Sequence, residues 1–209
     1  MGTLYKAISN NNWPAAKKFI ERYPIVLDVE FCTSRGETPL HVAVRFGHVS
    51  IVEELVRRVE PEYLEIYDAL GDTPLTIAAG HSGVIPIAIC LIDKNRNALS
   101  IPAEHCNRET LIRTYKWEFP VQLAFGAGLK EMGRYLYSVT PPQLFIEDID
   151  LSTSVFATCL ATGELDIVLD LLKRCKDLLF DVIEMIASHL LDSLDKSQLP
   201  FWKRRLYDC

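Results

Sequence analysis

Long apolar runs, closely spaced cysteines and an excess of basic charge are all missing from this 209-residue chain, and each absence removes a class of function. The longest unbroken apolar stretch, Val84 to Ile92, falls far short of the roughly 20 residues a helix needs to cross a bilayer. No membrane insertion by this chain is expected. Cys32, Cys90, Cys106, Cys159, Cys175 and Cys209 are widely scattered, with no CxxC pair and no secretory leader at the start. They are expected to be reduced and cytosolic, with Cys90 and Cys159 serving as small apolar core groups. Metal-ligand spacing is missing with them, so no metal is expected. The net charge of −6 argues against a nucleic-acid partner, which calls for a basic stripe to neutralise phosphates. No GxxxxGK or GxGxxG loop is present, and GAGLKEMG (126–133) lacks the preceding strand that a phosphate cradle needs. No cofactor is expected.

What the chain does have is a repeat. GETPLHVAVRFGHVSIVEELVRRV, starting at Gly36, returns 35 residues later as GDTPLTIAAGHSGVIPIAICLI, starting at Gly71. Thr38 before Pro39, and Thr73 before Pro74, read as helix starts: the hydroxyl accepts an early backbone N–H, and the proline takes a first-turn position that needs no donor. Leu40, Val42 and Ala43 give a short apolar face, and Gly47 ends the helix. Ile51, Val52, Leu55 and Val56 give a second helix one apolar stripe, with Glu53, Glu54, Arg57 and Arg58 in water. Pro86 falls in the first turn of the corresponding second helix, where it is tolerated.

The positions Ala43, Gly47, Ile51, Leu55 and Val56 act as a ruler for weaker copies. Ala7, Asn11, Ala15, Phe19 and Ile20 form an N-terminal set, with asparagine in place of glycine as a residue that tolerates a left-handed backbone. Ala124, Gly128, Met132, Leu136 and Tyr137 form another, and Cys159, Gly163, Ile167, Leu171 and Leu172 a last. The offsets are 36, 35, 46 and 35 residues. A fixed period of this kind is the signature of a repeat solenoid.

The order turn, TPLHxA, short helix, glycine, second helix resembles the ankyrin repeat. That resemblance implies an all-α solenoid of about five helix-turn-helix units with terminal cap helices. It also implies that the His41 imidazole bridges neighbouring turns, and that His48, in its GH pair, is structural as well. GLKEMGRYLYSVTPPQLF (128–145), LDIVLDLLKR and the tail LPFWKRRLYDC further resemble the ankyrin region of a plant family whose members carry a transmembrane PGG domain far downstream and are linked to stress and defence signalling. This second resemblance leaves open whether the chain is part of a longer, membrane-anchored regulator or a short relative without the anchor. The units are expected at about 1–32, 33–67, 68–114, 115–149 and 150–178 within an array over 1–195, with a cap at 180–195 and a tail at 196–209.

Departures from the pattern mark where function is sought. The 46-residue interval inserts roughly eleven residues in the region Asp93 to Trp117, and long inserts in repeat arrays usually map to one face. Trp117 and Phe119 stand where a turn glycine and a cap threonine belong, and Val155 replaces a proline. His105, Cys106, Glu104 and Glu109 in the insert suggest a nucleophile and base. Their spacing matches no cysteine-hydrolase signature, and a solvated polar loop without catalysis is expected instead. Lys203, Arg204 and Arg205 read as a solvated helix end rather than a lipid-binding patch.

A non-catalytic scaffold that binds a protein partner on its concave face is the function expected from these features, because turn fingers and inner helices there are freed from packing. By register that face holds Arg35, Glu37, Arg45, Phe46, Asp72, His81, Tyr115, Lys116, Trp117 and Glu118, along with Ser9 and Asn10. Phe46, Tyr115 and Trp117 are its expected anchors; Trp117 packed under the insert is an equal alternative. A small-molecule binder or unorthodox enzyme with a pocket walled by the insert and His81 remains a second class.

Overall fold

The computed structural model describes residues 2–27, 35–107 and 114–175. The expected cap, the tail, Cys32, Glu109 and Cys209 lie outside these residues. The chain divides into two compact units, Met1–Leu144 and Phe145–Cys209.

In the first unit, short helices pair in succession: α1 (Gly2–Ser9) with α2 (Trp13–Arg22), α3 (Pro39–Arg45) with α4 (Val49–Val56), α5 (Pro74–Ile77) with α6 (Ile85–Lys94), and α7 (Pro120–Gly126) with α8 (Lys130–Val139). The first members stack on one another, α1 on α3, α3 on α5 and α5 on α7, while α6 touches both α4 and α8. A short helix α9 (Pro142–Glu147) follows in the chain, over the boundary between the two units. Single 3-10 turns follow three of the outer helices, at Pro24–Leu27, Pro61–Glu65 and Arg96–Ser100.

Local chemistry explains the helix starts. Thr38 Oγ1 accepts from the His41 N–H, and His41 Nδ1 accepts in return from the Thr38 N–H at 3.2 Å. The next repeat does the same with Thr73 and Thr76, whose Oγ1 accepts the Thr73 N–H at 2.8 Å. Gln122 reproduces half of this device in the repeat that lacks a cap threonine, its Oε1 accepting the Phe119 N–H at 2.8 Å. Each reciprocal cap satisfies donors that a helix N-terminus otherwise strands.

The stripes read from the sequence form most of the core, although Cys90, Tyr137 and Leu172, expected there too, are only half-buried. Leu40, Val42, Ala43, Ile51, Val52, Leu55 and Val56 are buried, as are Ala78, Ile87, Ala88, Leu91, Ala124, Met132 and Leu136. Each large aliphatic among them contributes about 1.5–3 kcal/mol on burial. In the N-terminal pair the buried stripe is Ala16 and Ile20, while Ala15 is exposed and Phe19 half-buried. In this pair the ruler transfers only in part.

One residue of slippage separates the ruler from the structure. The left-handed helix-end positions are Asn11, Gly47, Gly83, Gly128 and Gly163, with φ of 54°, 70°, 65°, 74° and 81°, so the third repeat closes at Gly83 rather than at Ser82. A π turn at Ala78–Ser82 absorbs the extra residue. The inner helix thereby keeps Ala78 in the core while delaying the turn. His81 is thus the counterpart of Arg45, two residues before the glycine.

The insert differs more. Where a polar loop was expected, the backbone forms an antiparallel hairpin of β1 (Ala103–Asn107) and β2 (Thr114–Glu118), with Ala103 opposite Glu118, Glu104 opposite Trp117 and His105 opposite Lys116. Thr114, Tyr115 and Trp117 favour a strand, and with tryptophan in the glycine's place the chain continues extended to Glu118 instead of turning.

In the second unit, α10 (Ile149–Thr162) runs without the break that a proline at Val155 would set, and α11 (Leu165–Arg174) packs against it. Asp148 caps α10, its carboxylate accepting the Leu151 N–H at 2.8 Å. Leu151, Val155, Cys159, Ile167 and Leu171 form the core. The Ser152 hydroxyl and the Cys175 thiol both donate to the Phe145 carbonyl, the thiol at 3.4 Å.

Candidate partner-binding surface

The fingers that precede the inner helices are tied together by one cation. Arg45 Nε donates to Glu37 Oε1 at 2.9 Å and its terminal nitrogen to Asp68 Oδ2 at 3.0 Å, while the Glu37 and Asp68 side chains are only 2% and 1% exposed. The other Asp68 oxygen accepts the N–H groups of Leu70 and Asp72 at 2.8 and 3.0 Å. Asp72 in turn accepts from the Thr76 hydroxyl at 3.2 Å. The Ala69 N–H donates to the Arg35 carbonyl at 2.8 Å, locking one finger to the next.

This arrangement moves three expected contact residues inward. Glu37 and Asp72 are buried, and Arg45 holds two carboxylates, so none of the three offers a free charge to a partner. A finger must bury its own turn polar groups to stack on its neighbour, and these side chains satisfy that need. Asp68, the centre of the clamp, was not singled out from the sequence: it has no acidic counterpart in the preceding repeat, where the register places Thr33.

His41 also belongs to the frame. It is fully buried, with Nε2 3.0 Å from the Ile66 carbonyl and Nδ1 accepting from Thr38, a pairing that requires the neutral Nε2–H tautomer. Burial pushes its pKa below the ordinary 6.5, partly opposed by the charge of Asp68. His48 Nε2 lies 3.1 Å from the Ser9 carbonyl, bridging to the N-terminal repeat.

The surface that remains is aromatic and basic. Phe46 is 47% exposed and stacks on His48 at 6.0 Å between ring centroids. His81 and Arg35 are exposed. On the hairpin, Trp117 is 53% exposed, and Lys116 pairs with Glu118 at 2.8 Å. The strand backbone includes Tyr115, whose side chain lies outside the described atoms. Glu104 lies beside Tyr67, whose hydroxyl donates to the Pro102 carbonyl at 3.1 Å; burial first, then the Glu104 charge, raises the Tyr67 pKa.

A groove of about 600 Å³ lies at a different place from the insert, lined by Pro24, Ile25, Leu27, Val59, Tyr63 and Ile66 with Arg58, Glu60 and Glu62 at its edges. Among the described residues, no three His, Cys, Asp or Glu side chains cluster as a metal site, and no helix is long and apolar enough to cross a membrane. The side chains of His105 and Cys106 lie outside the described atoms.

No curated protein matches the chain. A family model described as ankyrin repeats (3 copies) matches residues 4–101. Ankyrin repeats generally mediate protein–protein interaction, imply a protein partner and are typically non-catalytic modules. With its mostly helical structure, the chain has the fold of an all-α ankyrin-repeat solenoid, and ankyrin repeats are what its residues 4–101 form.

Proposed function

We propose that this protein is a non-catalytic scaffold whose protein partner docks across the finger tips and inner-helix ends. The observation that carries the reading is the exposure of two large aromatics at these positions, Phe46 and Trp117, at 47% and 53%. Aromatic side chains at a protein surface supply much of the binding energy where a partner covers them. Arg35, Phe46, His81, Lys116 and Trp117, with the Tyr115 and Glu118 segment of the hairpin, make up the proposed contact set; Glu37, Arg45 and Asp72 support it from beneath. The resemblance to the PGG-domain family adds a setting to the proposal, plant stress or defence signalling, at the cytosol or the cytosolic face of a membrane.

The test is a binding comparison with a partner recovered by affinity purification from plant extract. Phe46→Ala with His81→Ala should weaken the complex by about 2 kcal/mol or more while leaving the thermal melt nearly unchanged. Glu53→Ala, Arg57→Ala and Lys130→Ala, on the outer helices, should each change it by less than about 1 kcal/mol. Sensitivity of the outer-helix set, with the Phe46 and His81 variant silent, refutes this placement.

A further inference from the structure

An antiparallel ladder alternates between pairs that exchange both backbone bonds and pairs whose N–H and C=O groups point outward. The Glu104 N–H donates to the Gly71 carbonyl at 2.7 Å, away from β2. The pair of Glu104 and Trp117 is therefore of the outward kind. By the same alternation, the pair of Cys106 and Tyr115 is outward too, while His105 with Lys116 and Ala103 with Glu118 hold the hairpin together. On β2, then, the N–H and C=O groups of Tyr115 and Trp117 face away from β1. Among the described residues no further backbone hydrogen bond reaches Trp117.

The two edges of the hairpin are thus unequal. That of β1 rests on the Gly71 turn, which makes the hairpin one more finger in the stack. The edge of β2 presents two outward residues with the two-residue spacing that an added strand requires. We propose that this edge, Thr114–Glu118, receives an extended segment of the partner protein by strand addition, with an acidic residue opposite Lys116 and an apolar or β-branched residue beside Trp117.

Charge selects this occupant. The Lys116 side chain is 72% exposed against 21% for its companion Glu118, so the group offered to an incoming strand is an ammonium. Across an antiparallel pair, opposite charges stabilise and like charges destabilise. A second copy of this chain, paired antiparallel so that Tyr115 meets Trp117, would place Lys116 against Lys116. The Lys116 ammonium therefore favours an acidic, alternating segment, and Trp117 offers the apolar half of that alternation; because a second copy paired with Trp117 facing Trp117 would set Glu118 opposite Lys116, a chain that dimerises through this edge in sedimentation overturns the proposal.

This inference rests on the scaffold reading and narrows it. Peptides are selected from a displayed random library against the full chain, and the synthetic peptide is then the probe. Recovered sequences should alternate β-branched with polar residues and place an acidic residue among the latter. Binding should slow hydrogen exchange at the Tyr115 and Trp117 amides and leave that of Lys116 unchanged. N-methylation at alternate peptide positions should weaken binding by about tenfold or more, with little effect at the positions between. Trp117→Pro should cost as much by removing an outward N–H, and Trp117→Val, which keeps the strand, should retain the amide protection. A peptide that binds while both amides exchange freely overturns strand addition; if that binding still falls with Phe46→Ala, the scaffold reading stands without it. A selection that yields no alternating acidic sequence overturns the proposal as well.

Discussion

Replacing Arg45 by methionine should destabilise the fingers rather than report on any partner. Glu37 and Asp68 sit at 2% and 1% side-chain exposure and both face this guanidinium. Methionine keeps most of the volume and removes the charge, so two carboxylates are left without their cation. Removing one partner of a fully buried ion pair costs about 3–5 kcal/mol. Arg45 itself is 20% exposed, so water relieves part of the penalty and about 2–4 kcal/mol is expected. Against a typical domain stability of about 5–15 kcal/mol that is a large loss. Urea denaturation gives the readout as a lower midpoint at constant slope. A double-mutant cycle sharpens it: Glu37→Gln in the Arg45→Met background should recover about 1 kcal/mol, because one stranded charge is gone, whereas in the parent it should destabilise. A midpoint for Arg45→Met that matches the parent, or a strictly additive cycle, refutes the clamp as the element that joins these fingers.

Glycine substitutions separate backbone strain from contact. Gly128→Ala meets nothing within 4 Å and pays only for its φ of +74°, about 1–2 kcal/mol. Gly71→Ala, at a φ of +86°, also drives a Cβ into the Glu104 carbonyl oxygen; it should lose more stability and expose the Glu104 amide to hydrogen exchange, and the reverse order in denaturation experiments would count against the hairpin's seat on Gly71. For His41, burial holds the folded pKa below the unfolded value of 6.5, so the unfolded state takes up a proton first. The stability that neutral His41 provides is full above about pH 6.5 and is lost as pH falls toward the lower folded value. His41→Gln, which carries the same acceptor that Gln122 uses in the fourth repeat, should lose less stability than the parent between about pH 7 and pH 5; equal losses refute the assignment.

The helices and their core were legible because each rests on local rules. Thr38-Pro39 and Thr73-Pro74 announce a cap, and the i, i+3, i+4 apolar spacing of Ile51, Leu55 and Val56 announces a buried stripe. Asn11, with its φ of 54°, shows that the ruler tolerated a changed residue when the backbone requirement was kept. The π turn at Ala78–Ser82 was not legible in the same way: an added residue inside a helix leaves composition and periodicity almost intact, and only the delayed glycine at 83 betrays it. The hairpin was hidden for another reason. Its five-residue strands sit in a segment without apolar alternation on both sides, and the order of β1 comes from a backbone contact with Gly71, far away in sequence.

The candidate site divides along the same line. Register alone placed Arg45 and Phe46 together at the end of one inner helix, and it cannot separate them, since adjacent residues there point in different directions. Arg45 points back across the fingers to two buried carboxylates; Phe46 keeps nearly half its surface in water. The sequence property that decides between them is the acid at position 68, which the repeat pattern does not predict. Charged residues near a finger are claimed first by the polar groups that the stacked turns must satisfy, because an unsatisfied buried group costs about 1–3 kcal/mol. Aromatic residues at the same place have no such claim on them. In this repeat array an exposed Phe46 or Trp117 is therefore a stronger pointer to a partner than a clamped Arg45, and the same holds for His81, which occupies the register position of Arg45 in the next repeat but remains exposed.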